Sequence, residues 1–317
     1  MNSLNTPLSA GESPLAPQPV AAAAITETRP MYWSVRRELW ENRSIYIAPL
    51  AAAAVYLVGY TISLKGLPRH MRELPALDLL HQQIALAMPY SHAAMLVMAT
   101  TFVVGIFYSL DALHGERRER SILFWKSLPI SDRTIVLSKA SIPYVVLPTL
   151  TFVITIVLQW IMLFLSSATL LLSGVGAAKL WAKLPLFQLE LVLLYVLIAV
   201  TLWHAPIYAW LIFVSGWARR ATFLWAVLPP AAIGVFELIA FHTSYIGSLL
   251  RDRFFGFVGL AFDMRMPDGS PLDAHFIPLT QLTPARLLSS PGLWLGLIVA
   301  AGFLAAAVRL RRYREPL

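Results

Sequence analysis

Two stretches of this sequence gather charge and aromatic side chains in a pattern suited to contact rather than to bond-making. In Asp111-ALHGERRERSILFWKSLPISDRTIVLSK, charges of both signs are followed directly by a bulky apolar patch. Glu116, Arg117, Arg118, Arg120 and Lys126 can fix the register of a docked protein, while Phe124 and Trp125 can fill a groove on it. A helix begun near Glu116 places Ile122 and Trp125 three residues apart, Leu123 and Phe124 widen the stripe, and Pro129 ends it. Ser131 and Asp132 suit the cap of the next helix. Composition alone favours an ordinary charged loop lying on lipid headgroups.

The second stretch is Pro30-MYWSVRRELWENR, in which Tyr32, Trp33, Val35, Leu39 and Trp40 fall on one broad arc, interrupted by Arg36 and Arg43. Together with Arg37, this mixture suits a helix lying in the headgroup layer, where indole rings settle and guanidinium groups reach water. Membrane lipid is its expected contact.

Catalytic signatures are missing. The sequence has no H-E-x-x-H, no G-x-S-x-G and no G-x-x-x-x-G-K-[ST], so no metalloprotease, nucleophile-elbow or nucleotide-phosphate motif is present. Cys is absent, which excludes disulfides, thiolate metal sites and a cysteine nucleophile. The expectation is a chain that is not itself an enzyme, holds no cofactor or metal, and draws on no nucleic-acid partner. Its formal charge of +8 is assigned to orientation and headgroup contact instead.

These stretches must be positioned by membrane-spanning helices. Hydrophobic residues make up 58% and charged residues 13% of the 317, with a mean hydropathy of +0.66. A soluble core could not hide so much apolar surface. About six runs have the roughly twenty residues that a bilayer core requires. They are 45–64, 88–110, 143–165, 187–214, 222–241 and 293–308, the last extending back toward Pro291. Sixteen of the 25 Lys and Arg residues fall on the side shared by both termini, which predicts cytoplasmic termini. Residues 1–28 read as a disordered cytoplasmic tail rich in Pro, Ser and Ala. The fold class is therefore all-α polytopic, with an N-terminal interfacial helix.

Polar residues within the runs are few. Asp111, Glu190 and Glu237 lie at or near span ends, where a carboxylate reaches the interface at small cost. Gln159 and His204 lie deeper, and with Glu237 they are the candidates for a substrate path. His204 stands two residues before Pro206, which frees a backbone carbonyl, so its imidazole either satisfies a neighbouring helix or faces that path. Between the fifth and sixth runs, Leu249 to Met264 mixes Phe and Gly with Arg251, Arg253 and Asp263 and reads either as a re-entrant or interfacial helix or as a folded loop.

The tracts Glu116-RRERSILFWKSLPISDRTIVLSKA and Pro30-MYWSVRRELWENRSIY resemble the coupling-helix loop and interfacial helix of the permease subunit of type-2 ABC exporters. With the six-span layout, the resemblance extends over most of residues 30–315. It implies that residues 29–317 form a type-2 transmembrane domain in a bacterial inner membrane. It also implies pairing with a second permease chain, as homodimer or heterodimer, and with cytoplasmic ATPase chains that bind ATP and Mg. The helix near Glu116 to Ser127 would receive the ATPases' motion, and re-entrant segments would lie between the fifth and sixth spans. The family's branch with a large extracellular domain is not matched. An ion-gradient-driven transporter and a non-transporting scaffold are the alternative readings, and the spans select no cargo.

Overall fold

A computed structural model describes residues 30–76, 78–118, 131–263 and 278–313. Among them the chain is helical, apart from turns and one isolated bridge between Phe262 and Leu282. Six helices are long and apolar enough to cross a membrane. The protein is an all-α polytopic membrane protein.

Helix α1 (Pro30–Glu41) opens on a proline, whose missing N–H costs nothing at a first helical position. It stops at Asn42, whose side-chain amide donates to the Glu38 carbonyl, and is thus separate from α2 (Ser44–Ser63), the first long apolar helix. Short helical pieces, including α3 (Leu67–Glu73), lead to α4 (Leu79–Asp111). This helix starts nine residues before the apolar run because its first turns carry His81, Gln82 and Gln83, which need no lipid. Pro89 removes one backbone donor within it. Near that point the carbonyls of Pro89 and Tyr90 accept from Tyr56 and Gln159 of neighbouring helices, at 2.6 and 3.2 Å.

After α5 (His114–Arg118) comes α6 (Asp132–Ser141), capped as its sequence suggests: the Ser131 hydroxyl accepts from the Thr134 N–H at 3.1 Å. It continues through a wide π-turn at Ile142–Val146, where Pro143 cannot donate, into α7 (Leu147–Leu172). The third crossing is therefore longer than its apolar run, covering Asp132–Leu172. Helix α8 (Ala178–Lys183) is a short connector to α9 (Leu186–Trp217), the fourth crossing and the axis of the bundle. Gly105 of α4 lets the Tyr208 ring of α9 approach; a Cβ there would stand 3.0 Å from a ring carbon.

The fifth crossing, α10 (Thr222–Phe241), turns at His242, whose φ of 56° is left-handed, into α11 (Tyr245–Phe255). Helix α11 runs back along α10, with Ile246 against Gly234, and penetrates to the level of Trp203 and His204. There the chain reverses at Gly256, whose absent Cβ avoids the Asp252 carbonyl oxygen at 2.5 Å. It returns as α12 (Phe257–Ala261), which Tyr195 holds by donating to the Ala261 carbonyl at 3.0 Å. Tyr195 lies two turns of α9 from Trp203. Residues 245–261 are thus a re-entrant hairpin dipping into the bundle, one of the alternatives open for Leu249 to Met264. Helix α14 (Pro291–Tyr313), preceded by α13 (Pro284–Leu288), starts beside Trp203 and packs along α9 to the other end of the bundle. There it meets α6, against which α1 also packs, so both ends of the described chain lie at one end of the bundle. We call this the basic end.

Candidate functional site: a buried ion network at the base of the charged loop

The charged loop leaves α4 at the basic end, and its first turn is built into the bundle rather than projected from it. Leu113 N–H donates to the Ser215 hydroxyl at 3.2 Å. Arg117 Nη1 donates to the carbonyls of Gly216 and Ala218 at 3.0 and 3.2 Å, covering the C-terminus of α9, where a cation is favoured by the helix dipole. Gly216 permits the approach, since a Cβ there would press on Leu113 at 3.2 Å.

Glu116 lies at the centre of an ion network. Its carboxylate stands 3.2 Å from Lys139 Nζ of α6 and 3.1 Å from Arg311 Nη1 of α14. Lys139 also donates to Glu38 of α1 at 2.8 Å, and the other Glu38 oxygen accepts from Tyr108 of α4 at 2.8 Å. Arg311 Nε approaches Asp132, the first residue of α6, at 3.5 Å. The side chains of Lys139, Glu38, Glu116 and Arg311 are all 5% exposed or less. Burying such charges costs several kcal/mol per ion unless each is paired, and here each cation meets two carboxylates. The network joins α1, α4, α5, α6 and α14 at one point.

The expected docking residues are placed in two settings. Glu116 and Arg117 are buried within the chain, where they anchor the loop. Arg118 is exposed. Arg120, Phe124, Trp125 and Lys126 lie outside the described residues. Charge pattern located the loop, but Glu38, Lys139 and Arg311 were legible only as charges near span ends.

On α1, Trp33 and Trp40 are exposed and flank Arg36, whose guanidinium carbon stands 5.3 and 4.7 Å from their ring centroids. Tyr32 packs edge-on against Trp33 and is also exposed, while Arg37 pairs with Glu41 at 2.6 Å. Glu38 points the opposite way, into the network. One face of α1 thus binds the bundle and the other offers the aromatic and basic stripe.

Gln159, His204 and Glu237 are engaged by three different neighbours. Gln159 holds the Tyr90 carbonyl. His204 Nε2 meets the Phe254 carbonyl at 3.1 Å, inside a cluster with Phe102, Phe254 and Phe257. Glu237 accepts from Thr243 Oγ1 and from the N–H groups of Tyr245 and Ile246, at 2.7, 2.6 and 2.8 Å, and so caps the re-entrant helix. Two cavities at the far end of the bundle, of about 320 and 310 Å³, are lined by none of these three residues. Replacing Glu237 by Ala should leave two helix N–H groups without their acceptor and loosen α11 by roughly 1–3 kcal/mol. Hydrogen exchange over 245–255 should accelerate accordingly; unchanged protection there would contradict the capping role.

The re-entrant hairpin is in turn tied to α14. Arg253 lies over the Trp203 ring at 4.8 Å and donates to the Gly292 carbonyl at 2.6 Å, while Trp203 Nε1 donates to the Asp252 carbonyl at 2.9 Å. Helix α14 is therefore held at its first turn by the hairpin and at its last turn by the loop network. Among the described residues no group of three His, Asp or Glu side chains converges as a metal site. Comparison with family models, curated proteins and solved structures returns no match.

Proposed function

We propose that this chain is the membrane-spanning subunit of an ATP-driven exporter of the type-2 ABC class. It would form the path for cargo and receive work from a separate cytoplasmic ATPase that binds ATP and Mg. The observation that carries the reading is the buried network that anchors the charged loop to α1, α6 and α14. A loop tied to the bundle by paired buried charges cannot move without moving the helices that share them. A bundle with two arrangements follows any partner that binds them unequally. The basic end would then face the bacterial cytoplasm, with both termini there and the exposed stripe of α1 on the inner leaflet. A second permease chain would complete the path.

Extraction of tagged protein from its native membrane in mild detergent tests the reading. The expected result is retention of an ABC ATPase chain, with vanadate-sensitive ATP hydrolysis that responds to substitutions at Arg118. Purification without any ATPase, together with ion-driven uptake by the reconstituted chain alone, would overturn it.

A further inference from the structure

Glu190 is a carboxylate with an unusual set of neighbours. It sits 26 residues before Gly216 on α9, so it lies about 39 Å along the axis from the loop network. A bilayer with its headgroups is about 40–45 Å thick, which puts Glu190 at the opposite interface. Around it opens a cavity of about 310 Å³, lined by Trp160, Trp181, Phe187 and Gln188. The two indoles form an open V, with centroids 6.3 Å apart and planes at 56°. Phe164 packs against both, at 6.0 and 6.2 Å. Trp160 Nε1 donates to Glu190 at 2.9 Å and Trp181 Nε1 donates to Ser167 at 2.9 Å, so both N–H groups are held by partners on the protein.

Among the described residues no ion pair engages Glu190. It lies just past the first turn of α9, where the helix dipole still favours a negative charge but explains neither the cavity nor the rings. Three of those rings, Trp160, Trp181 and Phe187, are exposed, and each ring face carries negative potential. A carboxylate beside aromatic faces at a partly dry interface selects one chemistry, a cation with an apolar body.

We propose that this cavity binds an alkylammonium group, with Glu190 as its counter-ion and the faces of Trp160 and Trp181 as its walls. The group can belong to an aminophospholipid headgroup or to a free cationic amphiphile. The site is independent of how the protein is powered.

Full-length protein in an uncharged detergent is offered dodecyltrimethylammonium and, separately, phosphatidylethanolamine, with dodecanol and phosphatidylglycerol as controls, and retention is read by native mass spectrometry. Preferential retention of an ammonium species is expected, falling roughly tenfold in Glu190→Gln. Gln preserves the acceptor for Trp160, so this variant removes the charge and keeps the fold. Trp181→Leu should weaken retention as well. Retention of phosphatidylethanolamine alone assigns the site to lipid, and retention of dodecyltrimethylammonium alone assigns it to a free amphiphile. Equal retention of ammonium species and controls, or ammonium retention unchanged by Glu190→Gln, overturns the proposal.

Discussion

Lys139→Met should cost the folded protein about 3–5 kcal/mol, because it removes one partner from a buried ion network and leaves the others in place. Among the described residues Glu38 would keep its hydrogen bond from Tyr108, and Glu116 would keep Arg311 while losing a buried cation. The comparison is Arg133→Met, at the second residue of the same helix but exposed, which should change stability by less than about 0.5 kcal/mol. Loss of folded fraction in a denaturing-detergent titration measures both. A second comparison isolates the pair: Glu38→Gln should be less costly in the Lys139→Met background than in the native chain, by about 1 kcal/mol or more. Equal costs in the two backgrounds would show that the 2.8 Å contact carries no coupling energy.

Charge reversal in the loop should separate anchorage from docking. Arg118→Glu changes an exposed side chain and should leave stability within about 0.5 kcal/mol, yet reduce the proposed ATP-driven transport on the order of tenfold or more. Arg117→Glu should behave differently. It places a carboxylate against the carbonyls of Gly216 and Ala218 and should reduce folded protein before transport can be measured. Transport and stability assays on the same preparations distinguish the two. Normal transport by Arg118→Glu in an assembled complex would remove this position from the docking surface.

Spans and their parity were legible because bilayer thickness imposes a minimum length and the apolar runs meet it. Ends were less legible: α4 starts at Leu79 and the third crossing at Asp132, since helix extends into polar sequence where no lipid limit applies. Ser131 was readable as a cap because that signal is local. The ion network was not readable, since Lys139 and Glu38 are 101 positions apart and Arg311 and Glu116 are 195 apart. No spacing rule reaches that far, and only the packing of five helices at one end brings those charges together. Glu237 shows the same limit on a smaller scale. Its position near a span end was apparent, whereas the N–H groups it accepts from exist only because the chain turns at His242 into a re-entrant helix.

The geometry gives α14 a specific place in the proposed mechanism. Arg311 fastens its last turn to the loop network and the Gly292 carbonyl fastens its first turn to Arg253 of the hairpin, so a displacement of the loop would reach the hairpin through one helix. The chain contains no Cys, which makes site-directed spin labelling straightforward. Labels at Arg72 of α3 and Arg251 of α11, both exposed, would report the hairpin against the fixed far end of the bundle. In the purified complex with the proposed ATPase, ATP plus vanadate should shift the distance distribution by several ångström, and Arg118→Glu should abolish the shift. An assembled, ATP-hydrolysing complex whose distribution is the same with and without nucleotide would contradict the account.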